Sequence, residues 1–310
     1  MSELVSILIP VFNREHLIEE TMMSALNQTY KNIEVIVVDN ASTDNTWKVV
    51  SEISKKDSRV KCFRNHANIG PVKNWKRCID EATGFYGKIL WSDDLISPNY
   101  ISKTLPLFKN KNIGFVFSSV ENFNVENKTK IEHYKIGITG EYKTKTFLEE
   151  TFEGCCNLEL PVSPGCAIFR MESLQNNLLI DIPNKINSDF CNHAIGNDLL
   201  LYLLTCKDYS HFGFVNEVLS YFRSHDGSIT VSSKHGKIHL HYLLVQAYYV
   251  ERYYKTKIRV INTRIKNALY KFPIHNEFNI KSAHDFYMIN KDTRISVMFI
   301  LKKILFKISR

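Results

Sequence analysis

Val5-Ser6-Ile7-Leu8-Ile9-Pro10-Val11 is a short apolar run near the start of the chain, and Ile33-Glu34-Val35-Ile36-Val37-Val38-Asp39 is a second run of the same kind. Runs this brief, β-branched and nearly unbroken are what strands buried on both faces require. Between the two, Asn13 stands where a helix cap belongs, and Ile18, Met22, Ala25 and Leu26 recur at helical spacing. The unit then repeats. Ser42 and Thr43 stand as caps before a helix carrying Trp47, Val50 and Ile53; Val60–Arg64 reads as the third strand, 71–82 as a helix, and Lys88–Trp91 as the fourth strand. Strand and helix alternating in units of about 30 residues predict a parallel sheet with right-handed crossovers. Ligands of such sheets bind beyond the carboxyl ends of the strands, and Asn13, Asp39, Asn68 and Asp93 fall at those ends.

Composition bounds what surrounds this sheet. A chain of 310 residues buries one substantial core and carries a smaller appendage, and 44% hydrophobic with 23% charged residues excludes large-scale disorder. The 40 Lys and Arg against 32 Asp and Glu leave a net charge of +8, suited to nucleic acid, anionic lipid or a phosphorylated substrate. No nucleic-acid motif accompanies that charge. The seven cysteines, with Cys155 and Cys156 adjacent and no C-x-x-C, indicate neither a disulfide framework nor a zinc site, so a reducing cytoplasm is expected. No basic and then apolar leader opens the chain, and no apolar run of about 18 residues is present, so neither a signal peptide nor a spanning helix is expected. The G-x-G-x-x-G fingerprint of redox dinucleotide enzymes is missing, and Asn13-Arg14-Glu15 offers no Gly-rich phosphate loop of the nucleotidyltransferase type.

The stretches Ile9-Pro10-Val11-Phe12-Asn13, Asn27-Gln28-Thr29-Tyr30, Val37-Val38-Asp39-Asn40-Ala41-Ser42-Thr43-Asp44, Asn68-Ile69-Gly70 and Ser92-Asp93-Asp94 with Pro98 follow one another in order. They are succeeded by Phe169-Arg170, Asn197-Asp198 and Tyr221-Phe222-Arg223-Ser224-His225. Together they cover residues 5 to about 230, and in order and spacing the chain resembles the inverting glycosyltransferase family 2 of polysaccharide and lipopolysaccharide biosynthesis. The resemblance implies an α/β architecture of the GT-A type, a Rossmann-like nucleotide-binding mixed sheet flanked by helices, with a helical C-terminal extension. It places the catalytic domain at 1–230 and the helical region at 231–310. The implied activity is metal-dependent transfer of a monosaccharide, with inversion, from a nucleotide-diphosphate sugar to a hydroxyl of a surface-polysaccharide or lipid-linked glycan. A UDP-sugar donor and Mn²⁺ or Mg²⁺ go with it.

The chemistry can be stated beside the resemblance. Negative charge grows on the leaving diphosphate as the glycosidic bond breaks, and a divalent cation held by hard carboxylate oxygens stabilises it. Asp93 and Asp94 suit that task; as they stand they are equally a solvated turn and helix cap ahead of Pro98. By resemblance Asp93 is the metal ligand and Asp94 its support, with Ser92 beside them at the donor. Trp91 occupies a position usually acidic in the family. Asp39 is implied to contact the nucleobase, its alternative being an Asx turn into the following cap. Pro10, Phe12 and Asn13 are implied to line the same edge. Asn68, Gly70, Lys73 and Asn74 are implied to lie at the donor, Lys73 within reach of phosphate. Ser163-Pro164-Gly165 looks like a loop beneath the donor sugar and acceptor.

Inversion needs one base to take the acceptor proton. Asp198 is the expected base, ahead of the apolar run Leu199–Leu204, although Asn197 replaces the Glu usual before it; Asp189 is the competing carboxylate. Arg223 is expected on diphosphate oxygens and His225 on the diphosphate or the metal. His235, His239 and His241 read as surface or packing residues. A catalytically silent relative that binds a sugar nucleotide, a glycan or a membrane is the rival reading, resting on Trp91 and Asn197. Finally, Ile295–Arg310 reads as an amphipathic helix with Val297, Ile300, Leu301, Ile304, Leu305 and Ile308 on one side and Lys302, Lys303, Lys307 and Arg310 on the other. Such a helix either lies on an anionic membrane surface or docks on the core with its basic face outward. The chain is therefore expected in the cytoplasm, with peripheral association at the inner membrane face.

Overall fold

The computed structural model describes residues 3–124, 126, 128–154, 158–224, 235–272 and 278–308. Ten strands run in chain order as β1 Val5–Val11, β2 Ile33–Asp39, β3 Val60–Arg64, β4 Tyr86–Ile89, β5 Leu95–Ile96, β6 Ile113–Phe123, β7 Lys130–His133, β8 Gly140–Lys143, β9 Ala167–Arg170 and β10 His211–Arg223. The α-helices are α1 Ile18–Leu26, α2 Thr46–Lys56, α3 Pro71–Asp80, α4 Tyr100–Thr104, α5 Thr144–Glu153, α6 Met171–Asn177, α7 Phe190–His193, α8 Asn197–Asp208, α9 His235–Tyr253, α10 Ile258–Lys271 and α11 Val297–Ile308.

The strands form one sheet in the order β3-β2-β1-β4-β9-β6-β10-β5, with β7 against β6 and β8 against β10. Its first four strands are parallel, as strand–helix alternation predicts. Beyond them the sheet is mixed. β9 runs antiparallel to both β4 and β6, while β10 returns parallel to β6. The apolar runs are unbroken because both sheet faces are covered. Ile36 and Val38 pack with Val72, Trp75 and Ile79 of α3, whereas Val35 and Val37 pack with Ile18, Met22 and Ala25 of α1.

Local chemistry moves several expected boundaries. β4 stops early because, after Leu90 N donates to Leu8 O, the Trp91 carbonyl accepts from Asp94 N at 3.0 Å and the chain turns. Gly70, at φ 84, and Pro71 set the start of α3, which ends at Asp80 rather than 82. Ser42 and Thr43 do not cap α2; Asp44 Oδ1 accepts from Thr46 N at 3.0 Å instead. Asn13 does not cap α1, which begins only at Ile18. Both expected caps are drawn into the loops at the carboxyl ends of β1 and β2.

A third apolar core lies off the sheet. Leu199, Leu200, Leu203 and Leu204 of α8 pack against Leu240, Leu243 and Leu244 of α9 and Ile261 and Ile265 of α10. α9 and α10 thus share a core with α8. Within it the buried Ser188 Oγ lies 2.9 Å from His193 Nε2 and 2.5 Å from His241 Nε2. The Ile195 amide donates to His193 Nδ1, and His241 Nδ1 faces the Lys237 carbonyl, so neutral tautomers satisfy the whole chain. His241 is therefore a packing residue. α11 is moored by Lys303 Nζ, which donates to the Gly154 carbonyl at 2.7 Å. Around this mooring Lys303 points inward, Lys302 outward, and Val297, Met298, Leu301, Ile304 and Leu305 are exposed; the side chains of Lys307 and Arg310 lie outside the described residues. No helix among the described residues is long and apolar enough to cross a membrane.

Candidate active site

The loops that follow β1, β2 and β4 are tied into one hydrogen-bonded rim. Asp39, fully buried at the end of β2, accepts from Ser42 N and Ser42 Oγ, and its second oxygen lies 3.0 Å from Arg64 Nε. Ser42 Oγ in turn accepts from Asn13 N at 2.9 Å, and Asn13 Oδ1 accepts from Thr43 N at 2.9 Å. Asn13 does this at φ 51, a left-handed backbone that Asn tolerates better than most residues. The next residue, Arg14, places Nε 3.4 Å from Asp93 Oδ2. Asp39, Asn13 and Asp93 are therefore linked through Ser42 and Arg14. Pro10 is buried beneath this rim and Phe12 is exposed upon it.

Asn68, Gly70 and Asn74 come together as a brace. Asn40 Nδ2 donates to Asn68 Oδ1 at 2.8 Å, and Asn40 Oδ1 accepts from Asn65 Nδ2 and Ile69 N. Asn74 is buried, donating to Val38 O at 3.0 Å and accepting from Asn65 at 2.9 Å. Both ends of its amide are engaged with the protein, so the expected donor contact by Asn74 gives way to support of the β2 end. Lys73, one residue earlier, faces solvent. Its charge acts on Asp189, which caps α7 and accepts from Asn192 Nδ2 at 2.6 Å.

The two acidic residues of the β4 turn part company. Asp94 is buried and accepts from Arg223 N at 2.8 Å, and burial, reinforced by the neighbouring Asp93 charge, pushes its carboxyl well above the ordinary range. The Asp94 carboxyl is thus turned inward, with Oδ1 engaged by the Arg223 amide. Asp94 braces the turn through this bond. Asp93 instead faces the rim, where its Oδ2 pairs with Arg14. Ser92 is buried between Trp91 and Asp93.

Arg223 also differs from expectation. Its Nε donates to the Asp93 carbonyl at 3.1 Å, its Nη2 to Glu20 at 2.6 Å, and its guanidinium lies 4.8 Å from the Phe123 ring centroid. With only 11% of its side chain exposed, it clamps the turn to the end of β10 rather than reaching for phosphate. His225 lies outside the described residues, as do His235's side chain and Cys155–Cys156.

Trp91 and the Ser163 turn join this rim to α8. The Trp91 ring lies 4.8 Å from that of Trp75, and its Nε1 donates to Ser163 Oγ at 2.9 Å. Gly165 sits so close that a Cβ there would meet Trp91 Nε1 at 2.7 Å. Tyr202 OH on α8 donates to the Ser163 carbonyl at 3.0 Å. Below the turn Lys88 is fully buried, donating to the Ile89 carbonyl at 3.0 Å and to the Gly165 carbonyl, with its ammonium 4.7 Å from the Tyr100 ring centroid. Burial pulls its pKa down to about 7. Neither Arg14 nor Lys88 was singled out by sequence; a lysine inside an otherwise buried strand was the signal for the second.

Asp198 stands at the first turn of α8. Its Oδ1 accepts from Gly196 N at 3.0 Å and Leu199 N at 2.8 Å, and its Oδ2 accepts from Tyr242 OH at 2.9 Å. Burial outweighs these bonds and lifts the carboxyl to about 6. Asp189, by contrast, is held below the usual range by its bonds to Asn192. Of the two expected carboxylates, only Asp198 is lifted toward neutral pH. Asn197 is buried and donates from Nδ2 to the carbonyls of Leu179 and Ile180, at 2.9 and 3.3 Å. An acceptor-only Glu carboxylate at that place would face two carbonyl oxygens, which gives the departure a structural reason.

Comparisons agree with this geometry. Residues 6–178 match the model of glycosyl transferase family 2, and the chain belongs to that family. It is 38% identical over 117 residues to WfaP of Escherichia coli, a UDP-Glc:α-D-GlcNAc-diphosphoundecaprenol β-1,3-glucosyltransferase, covering 38% of this chain and 46% of that protein. It is 28% identical over 245 residues to the GalNAc(5)-diNAcBac-PP-undecaprenol β-1,3-glucosyltransferase of Campylobacter jejuni, covering 77% and 72% respectively. An uncharacterised glycosyltransferase of Haemophilus influenzae is 32% identical over 155 residues, 47% of this chain and 62% of that one. The matches thus span from 46% to 72% of the length of these relatives. In three dimensions it superimposes on S. aureus TarS 1–349, solved in complex with UDP-GlcNAc, with a TM-score of 0.65 at 18% identity, covering 90% of this chain and 76% of that one. The likeness confirms the GT-A architecture.

Proposed function

We propose that the chain transfers a monosaccharide, with inversion, from a UDP-sugar to a hydroxyl of a lipid-linked glycan at the inner face of the cytoplasmic membrane. The support is the hydrogen-bonded rim that joins Asp39, Asn13 and Asp93 at the carboxyl ends of adjacent parallel strands, where such sheets take nucleotides. The printed substrates of the E. coli and C. jejuni relatives fit the same acceptor class.

On this reading Asn13 and Phe12 frame the nucleoside over the buried Asp39 and Pro10, with Asn68 and Gly70 shaping the loop beside it and Lys73 available to phosphate. Asp93 would hold Mn²⁺ or Mg²⁺ against the diphosphate, and that cation would supply Lewis-acid stabilisation of the leaving group. Asp198 takes the proton of the acceptor hydroxyl as its oxygen bonds to the anomeric carbon; the bond from that carbon to phosphate breaks, and UDP leaves with the electron pair. A carboxyl poised near 6 is ionised at neutral pH yet basic enough to accept that proton. Trp91 and Asn197, the grounds for a silent relative, each serve a packing purpose compatible with catalysis.

The test is a panel of UDP-sugars offered with undecaprenyl-diphosphate-linked acceptors. Product with the anomeric configuration opposite to the donor's is expected. Product of retained configuration would overturn the mechanism, and donor binding without product from any combination would favour the silent relative.

A further inference from the structure

The strongest unexplained feature lies in the last described helix. Val297, Met298, Leu301, Ile304 and Leu305 of α11 are each between 49% and 69% exposed. At 3.6 residues per turn they occupy a single arc of about 120°. The other side of the helix is the moored one: Phe299, Ile300 and Lys303 are half-buried, Lys303 bonds the Gly154 carbonyl, and Ser296 N bonds Thr263 Oγ1 just before the helix. The helix is therefore held with its apolar stripe turned away from the protein. Ile289 and Ile295, exposed in the segment leading into it, add to the same region.

Two physical facts select the occupant. The stripe is one helix of 12 residues, about 18 Å long. It is far smaller than the roughly 800 Å² per partner of a stable protein interface. Charge also selects. Residues 291–310 carry Lys291, Arg294, Lys302, Lys303, Lys307 and Arg310 against a single acid, Asp292. Lys302, 61% exposed, borders the stripe on the helical wheel. An exposed apolar stripe bordered by Lys302, in a segment with net positive sequence charge and on a helix too short to span, fits the interfacial plane of an anionic bilayer.

We infer that α11 is an in-plane membrane anchor, inserting Val297, Met298, Leu301, Ile304 and Leu305 among acyl chains while the exposed Lys302 meets anionic headgroups. This deepens the lipid-linked acceptor reading by fixing which face meets the membrane. The anchor is moored to the end of α5, whose Glu150 and Thr151 line a cleft of about 270 Å³ together with Tyr242, the residue bonded to Asp198. Anchor and candidate base thus belong to one helical body.

Flotation of the full chain with phosphatidylcholine vesicles, with and without phosphatidylglycerol and at low and high salt, tests this without donor or turnover. The expected result is flotation with anionic vesicles, weakened by salt, and at least about tenfold weaker for Leu301→Asp/Ile304→Asp. The double variant should keep wild-type circular dichroism and wild-type donor cleavage with a water-soluble acceptor. Equal flotation of variant and wild type, or none by either, overturns the inference. So does a concentration-dependent dimer in sedimentation that the double substitution abolishes, which would make a second copy the occupant. Failure of transfer activity with intact flotation would instead count against the enzymatic reading alone.

Discussion

Replacing Asp198 by Asn separates catalysis from stability. In the folded chain its carboxyl titrates near 6, against 3.8 when unperturbed. A folded pKa above the unfolded one means that the group favours folding below about 3.8 and that this contribution is lost as pH rises through 6. At neutral pH the buried, ionised carboxylate therefore costs up to about 3 kcal/mol relative to a neutral group of the same shape. Asn is nearly isosteric: its Oδ1 can still accept from Gly196 N and Leu199 N, and its amide can donate to the Tyr242 hydroxyl. Asp198→Asn should consequently be at least as stable as wild type at pH 7, with the advantage fading below pH 6. Its transfer rate should fall by about 10²- to 10⁴-fold, the span of general-base contributions. Urea unfolding across pH 4–8, paired with initial rates of UDP release, reads both quantities. Wild-type turnover in the variant would refute the base assignment, and a large loss of stability at pH 7 would refute the burial argument.

Other substitutions probe the frame. Gly165→Ala drives a methyl into Trp91 Nε1 and should displace Trp91 from Ser163, lowering turnover about tenfold or more while changing tryptophan fluorescence. Asn197→Glu places a carboxylate against the Leu179 and Ile180 carbonyls and should destabilise the chain by about 1–3 kcal/mol in denaturant unfolding. Leu200→Ala in the α8–α9 core should cost about 2–5 kcal/mol in the same assay, leaving donor affinity of the folded fraction unchanged.

The parallel half of the sheet was legible because its signal is local: β1 and β2 are apolar on both faces, and their helices carry a single apolar face. The antiparallel insertion of β9 was not, since it depends on contacts between Ala167–Arg170 and strands far away in sequence. Site residues at strand ends were found by position, but sequence does not say which way a side chain turns. Asp94 and Arg223 illustrate this, both spent on holding the turn, as does Asn74 beneath the β2 end. The expected caps Asn13, Ser42 and Thr43 were read as helix chemistry, whereas they stitch two loops together. Arg14 escaped notice because its partner, Asp93, is distant in the chain.

On the proposed reading the rim around Asp93 binds a UDP-sugar through a divalent cation. Calorimetric titration of UDP into wild type and Asp93→Ala, each with Mn²⁺ and with EDTA, measures it directly. Tight binding is expected only for wild type with Mn²⁺, at least about tenfold weaker after either the substitution or chelation. Equal affinity in all four titrations would contradict it.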